Sequence, residues 1–548
     1  MSCVEFGGLR VTDYDYIIVG AGSAGCVLAN RLTANGRYRV LLLEAGPSDL
    51  RFWVQVPIGY GKSYYNPTVN WMYESQPIPG LDNRTNYFPR GKVLGGSSSI
   101  NAMVYSRGQA GDYDDWAAMG NPGWGWNDVL PLYKRMEDHA LGASAWHGEG
   151  GPLHVDTIER AVHPLTHLWV KAGQEAGLKY NPDLNGETIE GVGIYQINTH
   201  RGFRMSASRA YLWPAQGRPN LRVETGALAT RILFEAKRAI GIAYEQRGHR
   251  HEARAGREVI LAGGSINSPQ LLQLSGVGSA DVLRSSGIEV VHESPAVGRH
   301  LQDHLCFDYV YRAKVPTLNN TLYPWWGKLL AGMQYVLTRK GPLALSVNQG
   351  GGFFRARPDS PRPDIQLYFS PLTYEKAASG VRKLTSTDPF PGFILSVSPC
   401  RPTSRGHVQI RSPDPHVAPA IHPNYLSTNH DVEELLAGAR FLRRLAQTPS
   451  MQSIIAAELK PGTPVDSDEA CIADMRARSY SVFHPVSTCR MGPDAAGNVV
   501  DPRLKVHGIG NLRIIDASIF PTVTSGNTNA PAIMVGEKGA DLVLADVS

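Results

Sequence analysis

DYIIVGAGSAGCVLANRLTANGRYRVLLLEAG, residues 15–46, is the stretch that decides the fold of this chain. Its β-branched run Tyr16–Val19 predicts a buried strand, which leads into the glycine-rich turn Gly20–Gly25. A helical pattern follows the turn, and the apolar run Val40–Leu43 predicts a second strand that ends at Glu44. Strand, glycine triplet, helix, strand and acid in this register indicate a dinucleotide-binding unit of the Rossmann type.

The glycines and the acid of this unit each have a physical role. Gly20 permits the tight turn, Gly22 lets the backbone approach a pyrophosphate, and Gly25 lets the helix pack close to the strand. The N-terminus of the helix offers N–H groups to the phosphates. Glu44 lies where a carboxylate accepts both hydroxyls of an adenosine ribose. Because that carboxylate repels a phosphorylated ribose, the sequence favours FAD or NAD over NADP.

The composition is that of an ordinary globular protein. The chain has 548 residues, of which 19% are charged and 42% hydrophobic, and this length allows about two to four domains. The net charge is only +5, and no cluster of Lys and Arg forms the basic surface that nucleic acid requires. We therefore expect no nucleic-acid partner.

The six cysteines are scattered, with no CxxC pair and no clustering with histidine. This spacing predicts neither a disulfide scaffold nor a metal site, and it favours free thiols in the cytoplasm. No secretory signal is visible, and no apolar run approaches the roughly 20 residues of a membrane-spanning helix. Peripheral contact with a membrane stays open.

Further elements are predicted along the chain. Residues 160–180 carry a helical pattern, and residues 221–245 predict a strand pair around a turn at Lys237-Arg238. Glu258–Gly263 predicts another buried strand. The alternating segments Asp364–Phe369 and Gly392–Val397 indicate an antiparallel sheet in the middle of the chain. Near the C-terminus, Asn511–Ile515 predicts a strand and Pro531–Ala545 an amphipathic helix.

Four more segments carry a family resemblance. They are GKVLGGSSSIN at 91–101, Gly263–Gly278, FHPVSTCRMG at 483–492, and Asp516–Pro521 continuing to Asn527–Pro531. Their order and spacing resemble the glucose–methanol–choline (GMC) flavin oxidoreductases over nearly the whole chain.

This resemblance implies an α/β (α+β) fold of two domains. A Rossmann-like FAD-binding domain is expected from residues 1–159, 221–311 and 476–548. A substrate domain, built on an antiparallel sheet flanked by helices, is expected from residues 160–220 and 312–475. The cofactor implied is FAD.

The resemblance also implies how FAD is held. Ile100 takes the position where some relatives bond a histidine covalently to the flavin, so we expect a dissociable cofactor. The backbone of Ala229 would contact the adenine, and a helix beginning near Asn529–Pro531 would point its positive end at the flavin. The full set of expected cofactor contacts is Gly20, Gly22, Ser23, Ala24, Gly25, Glu44, Ala45, Gly91, Val93, Gly95, Gly96, Ser97, Asn101, Ala102, Ala229, Asp516, Ala517, Asn529 and Pro531.

The activity implied is oxidation of an alcohol, with hydride transfer to flavin N5. His484 is the expected proton acceptor, because imidazole titrates near working pH, and Asn527 would hold the substrate oxygen. Tyr65, Phe483 and Gln349 are expected to contact the substrate. An alignment puts Gln349 where choline-specific relatives carry a glutamate. A neutral aliphatic, aromatic or polyether primary alcohol is therefore favoured over choline.

Several alternatives remain at this stage. The electron acceptor is a quinone, another carrier or O2, and choline dehydrogenase and hydroxynitrile lyase share the fold. A silent flavin-binding protein and an NAD-dependent dehydrogenase are further readings. His300 and His304 have i, i+4 spacing, but beyond Asp303 they lack further ligands, so they are interpreted as structural or as support for FAD. The aromatic residues Trp53–Tyr65 and Trp325-Trp326 either pack loops or line a substrate entrance.

Overall fold

A computed structural model describes residues 12–374, 387–462, 465 and 467–546. Helices and strands are both present in these ranges, and the strands form two large sheets. The helices are Ser23–Thr33, Phe52–Gln55, Tyr60–Ser63, Ala110–Ala118, Trp126–Met136, Pro164–Glu175, Trp213–Ala215, Gly264–Leu274, Ala280–Ser285, Leu318–Leu322, Trp325–Thr338, Asn429–Ala446, Pro449–Ile454, Asp468–Arg478 and Asn529–Ala545.

The first sheet has seven strands and contains the dinucleotide-binding unit. Its strands are, in spatial order, Leu221–Thr225, Val40–Glu44, Thr12–Val19, His249–Leu261, Arg238–Gln246 and Ala227–Glu235, with Leu512–Ile514 beside His249–Leu261. The first four strands of this order pair in parallel, and Leu512–Ile514 also pairs in parallel with His249–Leu261. Arg238–Gln246 and Ala227–Glu235 are added antiparallel. The segments Tyr16–Val19, Val40–Leu43 and Val259–Leu261 are buried apolar runs, as expected of parallel strands that helices cover.

The predicted strand pair at 221–245 is corrected by this sheet. The segment forms three strands, because the chain breaks at Gly226, whose φ is +63°. Leu221–Thr225 pairs in parallel with Val40–Glu44, and only Ala227–Glu235 and Arg238–Gln246 form the hairpin. Glu258–Leu261 is the end of the long strand His249–Leu261.

The second sheet is antiparallel throughout and also has seven strands. They are, in spatial order, Ile455–Lys460, Leu305–Ala313, Gly392–Pro399, Ile365–Ser370, Gly350–Phe354 and Gly191–Ile194, with Tyr480–Ser481 beside Leu305–Ala313. The helices Pro164–Glu175 and Asn429–Ala446 pack on it. The expected boundary after residue 311 lies inside Leu305–Ala313, so seven residues of this strand precede that boundary.

Shorter strands complete the described chain. They are Tyr73–Glu74 with Tyr87–Phe88; Glu137–His139, Leu153–Thr157 and Gln196–Ile197; Thr199–His200 with Phe203–Arg204; Val277–Gly278 with His292–Glu293; and His407–Gln409 with Ala420–His422. Among the described residues, no helix combines the length and the apolar character needed to cross a membrane.

The C-terminal helix closes the dinucleotide-binding unit. Asn529–Ala545 packs against Ser23–Thr33 at the small residue Gly536, where an added Cβ would lie 3.0 Å from Cα of Ala24. Glu537 pairs with Arg31 and Arg135 across this contact. The glycine turn and the end of the chain thus meet at one place.

Candidate active site

One large cavity, of about 1400 Å³, runs between the two sheets. This volume exceeds the roughly 300–1,000 Å³ typical of small-molecule sites, so it has room for a dinucleotide together with a substrate. The predicted site residues on its wall are Gly20, Gly22, Ser23, Ala24, Glu44, Ala45, Tyr65, Gly91, Gly96, Ser97, Asn101, Ala102, Ala229, Phe483, His484, Asp516, Ala517, Asn527 and Asn529.

The dinucleotide end of the cavity is built from backbone and one carboxylate. The helix Ser23–Thr33 begins after Gly22 with no side-chain cap, so its first N–H groups are available to phosphates. Glu44 accepts hydrogen bonds from the N–H groups of Ala21, at 3.0 Å, and Gly46, at 2.8 Å. Burial raises the pKa of Glu44 to about 7. This cradle fits the adenosine and pyrophosphate of FAD.

Four predicted cofactor contacts lie behind the wall. Gly25 packs so closely that an added Cβ would lie 1.9 Å from the carbonyl oxygen of Gly20, which is its predicted packing role. Gly95 donates its N–H to Ala21 O at 2.7 Å. Val93 is buried in an apolar cluster, and Pro531 is buried in the C-terminal helix. That helix begins at Asn529, two residues before the predicted start.

Gln349 does not reach the cavity, so its predicted contact with substrate is not supported. Its Oε1 accepts hydrogen bonds from His163 N–H at 2.8 Å and from the Thr166 hydroxyl at 3.0 Å. The neighbouring Asn348 lies on the cavity wall instead. Successive side chains alternate between faces near a strand, and Gln349 faces the helix behind the sheet.

The opposite end of the cavity holds His484 and Asn527 in contact. Nε2 of His484 lies 3.2 Å from the amide Nδ2 of Asn527. The amide oxygen of Asn527 accepts from Gln366 Nε2 at 3.2 Å, and Gln366 Oε1 accepts from the Tyr368 hydroxyl at 2.6 Å. This chain of hydrogen bonds turns the Asn527 amide so that its N–H points at the histidine.

A second histidine fixes the tautomer of His484. Nε2 of His304 lies 2.9 Å from the carbonyl oxygen of Cys400, so it carries the proton. Burial lowers the pKa of His304 to about 4, so its Nδ1 is an acceptor. That atom lies 3.0 Å from Nδ1 of His484, which therefore donates. Nε2 of His484 is left without a proton at the cavity wall.

Burial also keeps His484 neutral. The pKa of His484 is lowered well below 6.5 by burial, with smaller contributions from His304 and from the charge of Arg90. A neutral imidazole is the form that can accept a proton.

The buried carboxylate of Asp303 holds the backbone of this segment. It accepts the N–H groups of His484, at 2.7 Å, and of His304, at 2.9 Å. It also accepts the hydroxyls of Ser481, at 2.5 Å, and of Tyr425. Burial raises the pKa of Asp303 to about 6. Four donors on one carboxylate fix the position of the histidine ring.

The backbone next to His484 is strained. Phe483 has φ of +69°, which a bulky side chain rarely adopts. Arg90 Nη2 donates to the Phe483 carbonyl oxygen at 2.8 Å, and the backbone N–H of Phe483 donates to the Ser481 hydroxyl at 2.8 Å. Strain maintained in this way is a common property of functional sites.

Comparison with known proteins identifies the family of this chain. GMC oxidoreductase family models match residues 14–306 and 402–536. The chain belongs to the GMC oxidoreductase family. A mitochondrial choline dehydrogenase from Mus musculus is 43% identical, over 97% of this chain and 89% of that protein. An alcohol dehydrogenase [acceptor] from Pseudomonas putida is 42% identical, over 97% of this chain and 96% of that protein.

Solved structures show the same fold. The pyridoxine 4-oxidase from Mesorbium loti superposes with a TM-score of 0.86 at 30% identity, covering 96% of this chain and 98% of that chain. A formate oxidase from Aspergillus oryzae has a TM-score of 0.90 at 25% identity, covering 98% of this chain and 99% of that chain. As a GMC oxidoreductase, the protein is an FAD-dependent enzyme of alcohol or choline oxidation.

Sequence reasoning missed several residues of this GMC site. Arg90, Asp303, Gln366 and Tyr368 were not predicted, and His304 was interpreted only as structural or as support for FAD. The position of Arg90 directly before the segment at 91–101 was the available signal. The segment at 297–304 is not helical, because His300 has φ of +63° and Leu301 pairs with Gly406. His300 and His304 therefore do not share a helix face.

Proposed function

We propose that this enzyme oxidises a neutral primary alcohol (aliphatic, aromatic or polyether) to the aldehyde, with His484 as base. The observation that carries the proposal is the 3.2 Å contact between His484 Nε2 and Asn527 Nδ2 on the cavity wall. An alcohol oxygen bound there would accept the amide N–H and lie beside the nitrogen that takes its proton. FAD, when bound, accepts the hydride from the carbinol carbon.

The surroundings of His484 support its role as base. The contact with His304 leaves Nε2 unprotonated, and Asp303 holds the backbone so that the ring faces the cavity. Gln366 holds the Asn527 amide so that its N–H points at His484. His484 thus receives the proton of the alcohol hydroxyl. The oxygen of the aldehyde product keeps the hydrogen bond from Asn527.

The charges on the wall support a neutral substrate. Among the described residues, the carboxylates on the wall are Glu44, Glu74 and Asp516. Glu44 and Asp516 already accept backbone N–H groups, and Glu74 accepts the Thr85 hydroxyl at 2.6 Å. Around His484 the wall carries Tyr64, Phe483 and Tyr368 instead. Among the residues that the structure describes around His484, a quaternary ammonium would meet no carboxylate.

Choline oxidation is the second candidate, because relatives named choline dehydrogenase are about as similar as the alcohol dehydrogenase. An anaerobic titration of the purified protein with hexanol, benzyl alcohol, a polyethylene glycol and choline tests the proposal. We expect the neutral alcohols to bleach the oxidised-flavin absorbance. Bleaching by choline alone would overturn the substrate class, and bleaching by none would favour the lyase or the silent flavin-binding protein.

We propose further that electrons leave to a carrier at a membrane surface, and that the enzyme docks there peripherally from the cytoplasm. The helix Trp325–Thr338 supports this idea. Trp325 is 76% exposed and Leu337 78% exposed, and Trp326, Leu329, Leu330, Met333 and Val336 are also exposed. Leu329, Met333, Val336 and Leu337 line the cavity as well, so this apolar face borders it.

The charge of this region favours an anionic lipid surface. Residues 309–358 contain seven Lys or Arg residues and no Asp or Glu, and Lys328, Arg339 and Lys340 lie on or directly after the exposed helix. An apolar helix face with basic residues lies in the interface of an anionic bilayer. Tryptophans are enriched at the same interface between the bilayer and water.

Cosedimentation with lipid vesicles tests the docking. We expect binding to phosphatidylcholine vesicles that contain phosphatidylglycerol, and weaker binding to phosphatidylcholine alone. Trp325→Ser with Leu330→Ser should abolish binding and leave activity with a soluble electron acceptor intact. Leu141→Ser, at an exposed apolar residue elsewhere, is the matched control. Equal vesicle binding by both variants would contradict the proposal, and a change in oligomeric state would assign the face to a second copy of the chain.

A further inference from the structure

A group of metal-ligating side chains lies apart from the cavity. Asp138, His154 and His200 are half-buried, and their ligand atoms all lie within 4.8 Å of one another. None of the three lines the cavity that holds His484. The catalytic proposal does not use them, and their separation along the chain hid them from sequence reasoning, which expected no metal site.

The strand arrangement brings these side chains to one face. Asp138 and His154 are direct partners in the parallel pair of Glu137–His139 with Leu153–Thr157. His200, in Thr199–His200, packs its ring edge-on against His154 with ring centroids 4.4 Å apart. Backbone pairing, and not flexible loops alone, therefore positions the ligands.

The ligand atoms are already oriented. Asp138 Oδ1 accepts the Gly150 N–H at 3.1 Å, and Asp138 Oδ2 shares a 2.7 Å hydrogen bond with His154 Nδ1, which a bound metal ion would replace. Hydrogen bonds of this kind behind a ligand are typical of metal sites.

The neighbouring charges favour a cation. Asp156 follows His154 by two residues along the same strand, and its Oδ2 accepts the Thr199 hydroxyl at 3.3 Å. Two carboxylates thus lie near two imidazoles, and Arg201, next to His200 in the chain, carries a positive charge.

We propose that Asp138, His154 and His200 form a site for a divalent transition-metal ion of the Zn²⁺ type, with water completing the coordination. Two imidazole nitrogens and one carboxylate oxygen suit Zn²⁺, Co²⁺ or Ni²⁺, whereas Ca²⁺ and Mg²⁺ prefer oxygen alone. The ion would join three strands of the fold, and it takes no part in alcohol oxidation.

Metal titration of the untagged, chelator-treated holoenzyme tests this site. We expect one Zn²⁺ per chain by calorimetry, and a Co²⁺ visible spectrum that Zn²⁺ abolishes. Loss of a residue that only supports a metal ligand weakens metal binding by about 10–100-fold. His154→Ala and His200→Ala remove ligands themselves, so they should weaken Zn²⁺ binding at least as much. All variants should keep alcohol-dependent bleaching of the flavin, which shows that they are folded.

His422→Ala is the matched control, because His407 and His422 form a stacked pair across two strands elsewhere. It should bind Zn²⁺ like the unaltered chain. Asp138→Asn keeps the shape of the side chain and should also weaken binding, which guards against misfolding of the alanine variants. No Zn²⁺ binding by the unaltered chain, or equal binding by all variants, would overturn the site.

Discussion

The tautomer of His484 depends on one residue outside the cavity. His304 donates to the Cys400 carbonyl and accepts from His484, so the base nitrogen Nε2 stays free of a proton. Without that acceptor, both tautomers of His484 would be populated. The second histidine therefore acts on the chemistry by positioning a proton.

His484→Ala should lower alcohol-dependent flavin reduction by about 10²–10⁴-fold, because it removes the proton acceptor. Bound FAD, measured by its absorbance, should be unchanged. His249→Ala, at an exposed histidine on a hairpin, is the control. Near-normal reduction by the His484 variant would show that another group is the base.

The pH dependence of flavin reduction should reflect the lowered pKa of His484. A base whose pKa lies well below 6.5 stays neutral as the pH falls through 6.5, so the rate should hold there. Stopped-flow measurements across this range check the expectation. An acid limb with an apparent pKa of 6.5 or above would contradict it.

His304→Leu should slow reduction and change this pH profile, because the tautomer of His484 is no longer fixed. His304→Gln should restore much of the rate, since its amide can both accept from His484 and donate to Cys400. Equal rates in the two variants would reduce His304 to a packing role.

At the scale of elements, the glycine turn depends on contact between backbones. In Gly25→Ala the new Cβ would lie 1.9 Å from Gly20 O, so the helix would separate from the strand. We expect loss of bound FAD, measured as flavin per purified chain. Gly217→Ala, where an added Cβ meets nothing within 4 Å, is the control. Full flavin content in the Gly25 variant would refute the packing role.

The helix Asn429–Ala446 carries a buried acid, Glu434, against the antiparallel sheet. Burial, followed by the nearby Asp364, raises the pKa of Glu434 from 4.5 to about 8. The folded state therefore keeps a proton that the unfolded state releases between these values. The stability that this bound proton contributes is complete below pH 4.5 and is lost as the pH rises through 8.

Glu434→Gln should therefore raise the apparent Tm more at pH 8 than at pH 5, because a neutral amide has no charge to bury. Thermal melts of both proteins at the two pH values measure this difference. An equal shift at both values would show that Glu434 is not protonated in the folded state.

The sequence predicted the elements whose signals are local. The glycine turn, the helix after it and the strands beside it follow from residue type and spacing. The contact of His304 with His484 could not be predicted, because it depends on how two distant segments pair. Gln349 shows the same limit, since a difference of one residue exchanges the two faces. Asn348 therefore takes the place on the cavity wall.

For the whole molecule, we predict that FAD is held without a covalent bond, because Ile100 has no group that could form one. Acid precipitation should release all flavin into the supernatant, whose absorbance measures it. The protein without flavin should melt at a lower temperature and recover with added FAD, because a ligand of the folded state stabilises it. Flavin fluorescence that migrates with the denatured chain would contradict this.

The closure of the dinucleotide-binding unit by distant residues has a consequence for biosynthesis. The strand Leu512–Ile514 and the helix Asn529–Ala545 complete the sheet edge and the packing on Ser23–Thr33. While a ribosome is still making the middle of the chain, the dinucleotide-binding unit lacks both segments. Its sheet edge is then unpaired and its helix Ser23–Thr33 is uncovered. We therefore expect FAD to bind after translation, and we expect this edge to be open to association with other chains for most of synthesis.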